Sequence, residues 1–205
     1  MNLKKHLFNL TISKLILCGF IFSFSSLFAQ DYNAFGARLS LNSSNIFSTQ
    51  PDELNKHRDF SIAGFYKIHI TQELIYFQPE LGLSRKGSRM KLNNIEYNLN
   101  LSYIDVPLLL SIGQKNISFV EIGGYFSYLV HSDLNNTSFL NLNTSDLNKM
   151  DYGIALGMNA NYENFAIGLR YYYGMADIVD ASMKPLLGDR ARNSTFQVYL
   201  TYTFL

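Results

Sequence analysis

Two histidine–aspartate pairs come closest, in residue type and spacing, to the parts of a catalytic site. His57 precedes Asp59 by two positions, and His131 precedes Asp133 by two. A carboxylate beside an imidazole can orient the ring as a general base, as in hydrolase triads. Neither pair is accompanied by a serine in a nucleophile context, and polar residues of this kind are common in solvated loops. The sequence therefore predicts a protein that is not an enzyme, with no catalytic residues.

Metal and cofactor chemistry is equally poorly supported. His69 has no second histidine or cysteine at the spacing of a metal site. The single cysteine, Cys18, lies within the first 29 residues, so the remainder can form neither a disulfide nor a thiolate site. We expect no metal and no cofactor.

Anion binding is the other chemistry that the residue types allow. Basic side chains gather at positions 85–91, and two arginines follow at 190 and 192. Guanidinium groups suit phosphate because they donate two parallel hydrogen bonds. A basic loop that is merely solvated would give the same pattern, and both interpretations stay open. The candidate residues for contact with lipopolysaccharide are Arg85, Arg89, Lys91, Arg190 and Arg192.

The elements that position these residues are predicted by strict alternation of apolar and polar side chains. In residues 195–205, Phe196, Val198, Leu200, Tyr202 and Phe204 share one face of an extended segment, while the other face is mostly polar. The same period of two recurs upstream. It predicts eight strands, at about 33–42, 59–70, 74–86, a fourth ending at 112, 118–131, 151–162, 165–174 and 195–205.

The connections between these strands alternate in length, long and then short. The long ones are predicted at 43–58, about 87–94, 132–149 and 175–193. This is typical of an all-β, eight-stranded antiparallel up-and-down transmembrane β-barrel with short periplasmic turns and long extracellular loops. Its apolar face would meet lipid, and both ends of the mature chain would be periplasmic. Pro79 and Pro107 fall inside strands, where each removes a ladder donor, so we expect bulges or local breaks there.

Charged residues in these strands fall on the face opposite the apolar one. A lipid-facing lysine or arginine near the middle of a bilayer costs about 2–4 kcal/mol, so enclosure is favoured. Four bases and four acids can pair and fill an eight-stranded interior. A narrow ion path is the alternative, and we favour the filled core. The predicted lumen charge network is Arg38, Lys67, Glu80, Lys86, Asp105, Glu121, Asp151 and Arg170.

Composition and the N-terminal segment point to a secreted envelope protein. Charged residues are only 16% of the chain. Residues 1–29 combine Lys4, Lys5 and Lys14 with an apolar stretch and small residues, so they predict a signal peptide cleaved near Ala29/Gln30. Removing three lysines and no acid changes the formal net charge from +1 to −2. This charge does not favour nucleic acid as a partner. Residues 30–205 are predicted to be the barrel domain.

Several motifs resemble those of the PorT-like outer-membrane β-barrel family. They are QPELGLSRKG at residues 78–87, YIDVPLLL at 103–110, EIGGYFSYL at 121–129, DYGIALG at 151–157 and RYYYGMADI at 170–178. The resemblance covers the mature chain and implies a small barrel in the outer membrane. Because one member assists a secretion apparatus, it also implies an accessory role in secretion or assembly as one alternative.

These observations lead to three functional hypotheses. The preferred one is a non-enzymatic, monomeric outer-membrane barrel with a structural or interaction role at the cell surface, in contact with lipopolysaccharide and envelope proteins. The second is the secretion or assembly accessory. The third is a soluble, lipocalin-like carrier, in which the apolar side chains would face inward around a ligand.

Overall fold

The computed structural model describes residues 33–48, 54–71, 74–92, 95–114, 117–135, 148–177 and 191–204. The predicted signal peptide and its cleavage site lie outside the described residues. No helix in the described ranges has the length and apolar character needed to cross a membrane.

Eight antiparallel strands close into a barrel in which every strand pairs with its sequence neighbours and β1 pairs with β8. This arrangement confirms the predicted fold. The strands are β1 (Ala34–Ser48), β2 (Leu54–Thr71), β3 (Ile75–Leu92), β4 (Ile95–Gln114), β5 (Ser118–Asn135), β6 (Met150–Tyr162), β7 (Phe165–Gly174) and β8 (Ala191–Phe204).

Most apolar side chains face outward, and the interior is filled mainly by polar and aromatic side chains, with a few aliphatic ones such as Leu101 and Leu109. In β7, exposed and buried residues alternate without exception from Phe165 to Gly174. Outward residues such as Leu81 and Ile167 are 62% and 61% exposed. This orientation suits a barrel surrounded by lipid, because each outward side chain meets hydrocarbon. It is opposite to that of a lipocalin-like carrier, so the third hypothesis is wrong.

Several strands run further than predicted, mostly toward the long connections. β3 ends at Leu92 rather than 86, and β4 begins at Ile95, so most of the predicted 87–94 loop is strand. The predicted loops at 43–58, 132–149 and 175–193 likewise contain residues that belong to β1, β2, β5 and β8. Alternating hydrophobicity marks only the part of a strand that crosses lipid, and backbone pairing continues beyond it without that signal.

The prolines interrupt the ladder without shifting it. Between β3 and β4, pairing stops after Pro79–Leu108 and resumes at Gly82–Asp105 in the same register, so the expected break occurs without a bulge. The register shifts lie elsewhere: twice in the β2–β3 ladder, and next to Ser102 in the β4–β5 ladder. A missing N–H deletes a hydrogen bond, whereas a shift needs an extra residue in one strand.

The β6–β7 connection is a tight two-residue turn. Glu163 adopts φ 53°, the left-handed region that L-residues other than glycine disfavour. Positive φ at the first central residue lets a two-residue turn follow the right-handed twist of the strands.

Candidate functional site

A central ionic cluster of Arg38, Glu80, Glu121 and Arg170 lies in the barrel interior. The Arg170 guanidinium donates to both Glu80 carboxylate oxygens, from Nη1 at 3.0 Å and from Nη2 at 3.0 Å. Its Nε and Nη2 also donate to Glu121 Oε2, at 3.0 and 2.7 Å. Arg38 Nη1 lies 2.7 Å from Glu80 Oε2. One guanidinium thus joins two carboxylates from β3 and β5, and a second cation from β1 completes a neutral group.

Burial makes this neutrality important. Arg170 and Glu121 are each 1% exposed, and Arg38 and Glu80 are nearly as buried. Removing a charge from water is costly, and the cost is recovered only when partners and hydrogen bonds are well placed. The four side chains therefore act as one unit, in which loss of any member leaves a buried charge without compensation.

Polar neighbours add further hydrogen bonds to the two glutamates. Gln78 Nε2 donates to Glu80 Oε1 at 2.6 Å, and Asn159 Nδ2 donates to Glu121 Oε1 at 3.0 Å. Tyr172 accepts a hydrogen bond from Arg170 at 3.1 Å. These residues were not predicted to belong to the network. Their inward register was the available signal, but their pairing depends on strands that are distant in sequence.

Glycines on the inner face provide the space that this cluster occupies. A Cβ added at Gly157 would lie 2.9 Å from Glu121 Oε2 and 3.3 Å from Arg170 Cγ. A Cβ at Gly168 would overlap the Tyr199 ring. The arginine and the tyrosine can therefore cross the lumen only because the facing positions lack side chains.

An upper cluster of Lys86, Asp105 and Asp151 lies toward the long connections. Lys86 Nζ is 3.2 Å from Asp105 Oδ1 and 3.6 Å from Asp151 Oδ2. It also donates to Ser127 Oγ at 3.0 Å, and it sits 4.7 and 5.0 Å from the ring centroids of Tyr103 and Tyr125. Rings that pack against an ammonium replace part of its lost hydration.

Lys67 lies apart from both clusters, near the short turns. Its Nζ is 5.3 Å from the Phe65 ring centroid, 5.2 Å from the Tyr76 centroid, and 3.4 Å from Thr203 Oγ1. In the described part of the chain it has no carboxylate within 4.0 Å. Of the eight predicted network residues, the structure thus brings four into the central cluster and three into the upper cluster, and leaves this one separate.

The two histidine–aspartate pairs lie on different strands, β2 and β5. His57 Nε2 lies 3.4 Å from Asp59 Oδ2 on β2. His131 is exposed on β5, and the side chain of Asp133 lies outside the described residues. Over the described ranges, no group of three or more His, Cys, Asp or Glu side chains is placed to hold a metal ion.

Of the predicted lipopolysaccharide residues, the two with described side chains lie on different strands, β3 and β8. Arg85 is exposed on β3, with its guanidinium carbon 5.8 Å from the Phe60 ring centroid. Arg192 is half-buried on β8, in register with Phe47. The side chains of Arg89 and Lys91, and the whole of Arg190, lie outside the described residues.

Comparison with solved structures shows a shared fold. The attachment invasion locus protein Ail of Yersinia pestis, solved with the heparin analogue sucrose octasulfate, matches with a TM-score of 0.51 and 12% identity, over 84% of this chain and 99% of that one. Neisserial surface protein A matches with a TM-score of 0.47 and 12% identity, over 83% and 97%. At such low identity the likeness to Ail shows the fold alone.

A search of curated proteins gives no match. The family model described as "Outer membrane protein beta-barrel domain" matches residues 28–180, most of the chain. That extent of match, with the closed eight-stranded barrel and its apolar outer face, shows that the chain belongs to the outer membrane protein beta-barrel domain family and is an outer-membrane protein.

Proposed function

We propose that this protein is a non-enzymatic, monomeric outer-membrane barrel with a structural or interaction role at the cell surface. The observation that carries the proposal is the central ionic cluster. Side chains from β1, β3, β5 and β7 meet there across the lumen. Because these side chains occupy the lumen, partners would bind at the ends of the barrel or at its lipid-facing surface.

The lengths of the connections support the cell-surface end as the working one. The β6–β7 turn has two residues, whereas 14 residues lie between Asn135 and Met150 and 16 lie between Gly174 and Ala191. In barrels of this kind the long connections are extracellular, and binding residues concentrate on loops held by a rigid scaffold.

Site-specific crosslinking from the two ends of the barrel tests the proposal. A photo-crosslinking residue at exposed Asn148 reports on the side of the long connections, and the same residue at exposed Glu163 reports on a short turn. We expect partners to crosslink from position 148 in intact cells, and shortening the 136–147 connection to abolish these adducts. Fractionation and heat-dependent gel mobility would verify that each variant remains a folded outer-membrane barrel.

The alternative is an accessory role in a secretion or assembly machine. The PorT-like motifs favour it, above all QPELGLSRKG at residues 78–87 and YIDVPLLL at 103–110. This role needs periplasmic partners, so it predicts adducts from position 163. Adducts from 163 without any from 148 would contradict the preferred function.

The proposal includes export by a cleaved signal peptide. The predicted cleavage between Ala29 and Gln30 would give a mature chain that begins at Gln30. The intact mass of protein purified from outer membranes measures this directly. A mass that retains residues 1–29 would contradict the prediction.

A further inference from the structure

A row of polar and basic side chains crosses the outward face of β2 to β5 where the apolar band ends. Arg85 is in register with Ser102, and Ser102 with His131, so the row continues across three strands. Arg85 also lies against Phe60 of β2, and Arg58 is exposed two residues further along that strand. We call Arg58, Arg85, Ser102 and His131 the basic row.

Irregular strand pairing helps to build this row. The β4–β5 register shifts between Ser102 and Tyr103, and as a result Val130 and His131 are both exposed although they are consecutive. In a regular strand, one of the two would point into the lumen. The β2–β3 ladder is also irregular between Lys56 and Ser61, beside Arg58. Bulges re-aim side chains at barrel rims and binding sites, so an outward His131 is the kind of feature they create.

The basic row has no acidic side chain to neutralise it among the described residues. Neither Arg58 nor Arg85 has a described carboxylate within 4.0 Å. The nearby Asp59 pairs with His57, and Asp105 points inward to Lys86. Two guanidinium groups at the edge of a lipid-facing surface therefore have no neutralising carboxylate among the described residues.

Below the row, the outer surface is continuously apolar. Leu83, Ile104 and Val130 lie next to the row and are 58%, 36% and 46% exposed, and Phe126 extends the patch at 53%. A ligand that fits both features carries negative charge at the membrane surface and hydrocarbon chains beneath it.

We infer that the basic row binds a phosphorylated glycolipid of the outer leaflet, namely lipopolysaccharide. Its phosphates would contact Arg58 and Arg85, and its acyl chains would lie along the apolar patch. Phe60 restricts Arg85 by stacking, which reduces the entropy lost on binding. The inference rests on the proposed cell-surface function and deepens it. It moves the site to β2 to β5 and leaves out Arg192 on β8, which is two strands from Arg58 on β2 and three strands from Arg85 on β3.

Lipid retention by purified barrels tests this site. Wild type, R58Q/R85Q and R192Q are placed in phosphatidylethanolamine nanodiscs that contain lipopolysaccharide, dephosphorylated lipopolysaccharide or phosphatidylglycerol, and bound lipid is measured by native mass spectrometry. A basic residue near an anionic membrane surface contributes about a fivefold factor, so R58Q/R85Q should bind lipopolysaccharide about 30-fold more weakly. R192Q removes the same charge elsewhere and should change binding by less than about twofold.

Each alternative outcome would overturn the inference. Two concern the variants: R58Q/R85Q binds lipopolysaccharide as well as wild type, or R192Q loses as much binding as R58Q/R85Q. Two concern the lipid: wild type retains dephosphorylated lipopolysaccharide or phosphatidylglycerol as well as intact lipopolysaccharide, or inorganic phosphate alone displaces the lipid. If R58Q/R85Q loses heat-dependent mobility, R58K/R85K replaces it as the test variant. It keeps the charge but not the bidentate geometry, so it should lose less lipopolysaccharide binding than expected for R58Q/R85Q. Failure of lipid binding in a barrel that still crosslinks from position 148 would refute the site but not the proposed function.

Discussion

Replacing Arg170 by methionine tests the central ionic cluster most directly. The substitution removes four hydrogen bonds to carboxylates and one to Tyr172. Glu80 keeps Arg38, but Glu121 keeps only neutral partners among the described residues. Removing one partner of a buried ion pair typically costs about 3–5 kcal/mol. We therefore expect R170M to lower the free energy of unfolding by about that amount.

The substitution Glu121→Gln tests whether the unpaired Glu121 carboxylate causes the loss of stability in R170M. On its own it leaves Arg170 with Glu80, so it should cost less than R170M. In the double variant R170M/E121Q, no unpaired carboxylate remains at position 121, so part of the stability lost in R170M should return. Non-additivity of this kind is the measure of coupling between two sites.

Urea titration of refolded barrels in lipid vesicles, followed by heat-dependent gel mobility and far-ultraviolet circular dichroism, measures these differences. The chain contains no tryptophan, so these two signals are more direct than indole fluorescence. Arg192→Met controls for loss of an arginine outside the lumen. Two results would contradict a coupled ionic cluster. R170M could lower the free energy of unfolding no more than R192M does, or the losses in R170M and E121Q could simply add in the double variant.

Three further substitutions test other parts of the structure. Gly168→Val should prevent or slow folding, because its Cβ would overlap the Tyr199 ring and would lie 2.7 Å from the Met158 carbonyl oxygen. The additional change Tyr199→Ala should restore heat-dependent mobility in part, and no recovery at all would show that the overlap with Tyr199 is not the cause. Leu169→Arg should cost about 2–4 kcal/mol in the same titrations, because it places a cation in lipid, and a neutral result would contradict the assigned outer face. Glu163→Gly should raise stability by up to about 1 kcal/mol, because it removes the left-handed strain of a non-glycine residue; a lower urea midpoint would show that the turn is not strained.

The inside and outside faces of the strands were predictable because alternation depends on each strand alone. Arg38 on β1 and Arg170 on β7 could both be assigned to the interior from their neighbours in sequence, and both are buried there. Lipid outside the barrel and the lumen inside it favour different side chains. The two faces of a strand can therefore be identified from the sequence of that strand alone.

Strand ends and the outward histidine were not predictable in the same way. The β3–β4 hairpin continues to Leu92 and Ile95 through backbone pairing, which carries little side-chain signal. His131 faces outward because of a register shift against Ser102, a property of two strands together. Single-strand periodicity cannot detect either feature.

By itself, the sequence determined the fold class, the number of strands and the side of the wall on which the charges of the central and upper clusters lie, because lipid and lumen impose opposite preferences on alternate residues. Only the tertiary structure decided which charges meet. Arg170 reaches Glu80 from a position 90 residues away, Lys86 joins Asp105 and Asp151, and Lys67 has only rings and a hydroxyl among its described contacts. The relative heights of these groups follow from strand register and barrel closure, which depend on all eight strands at once.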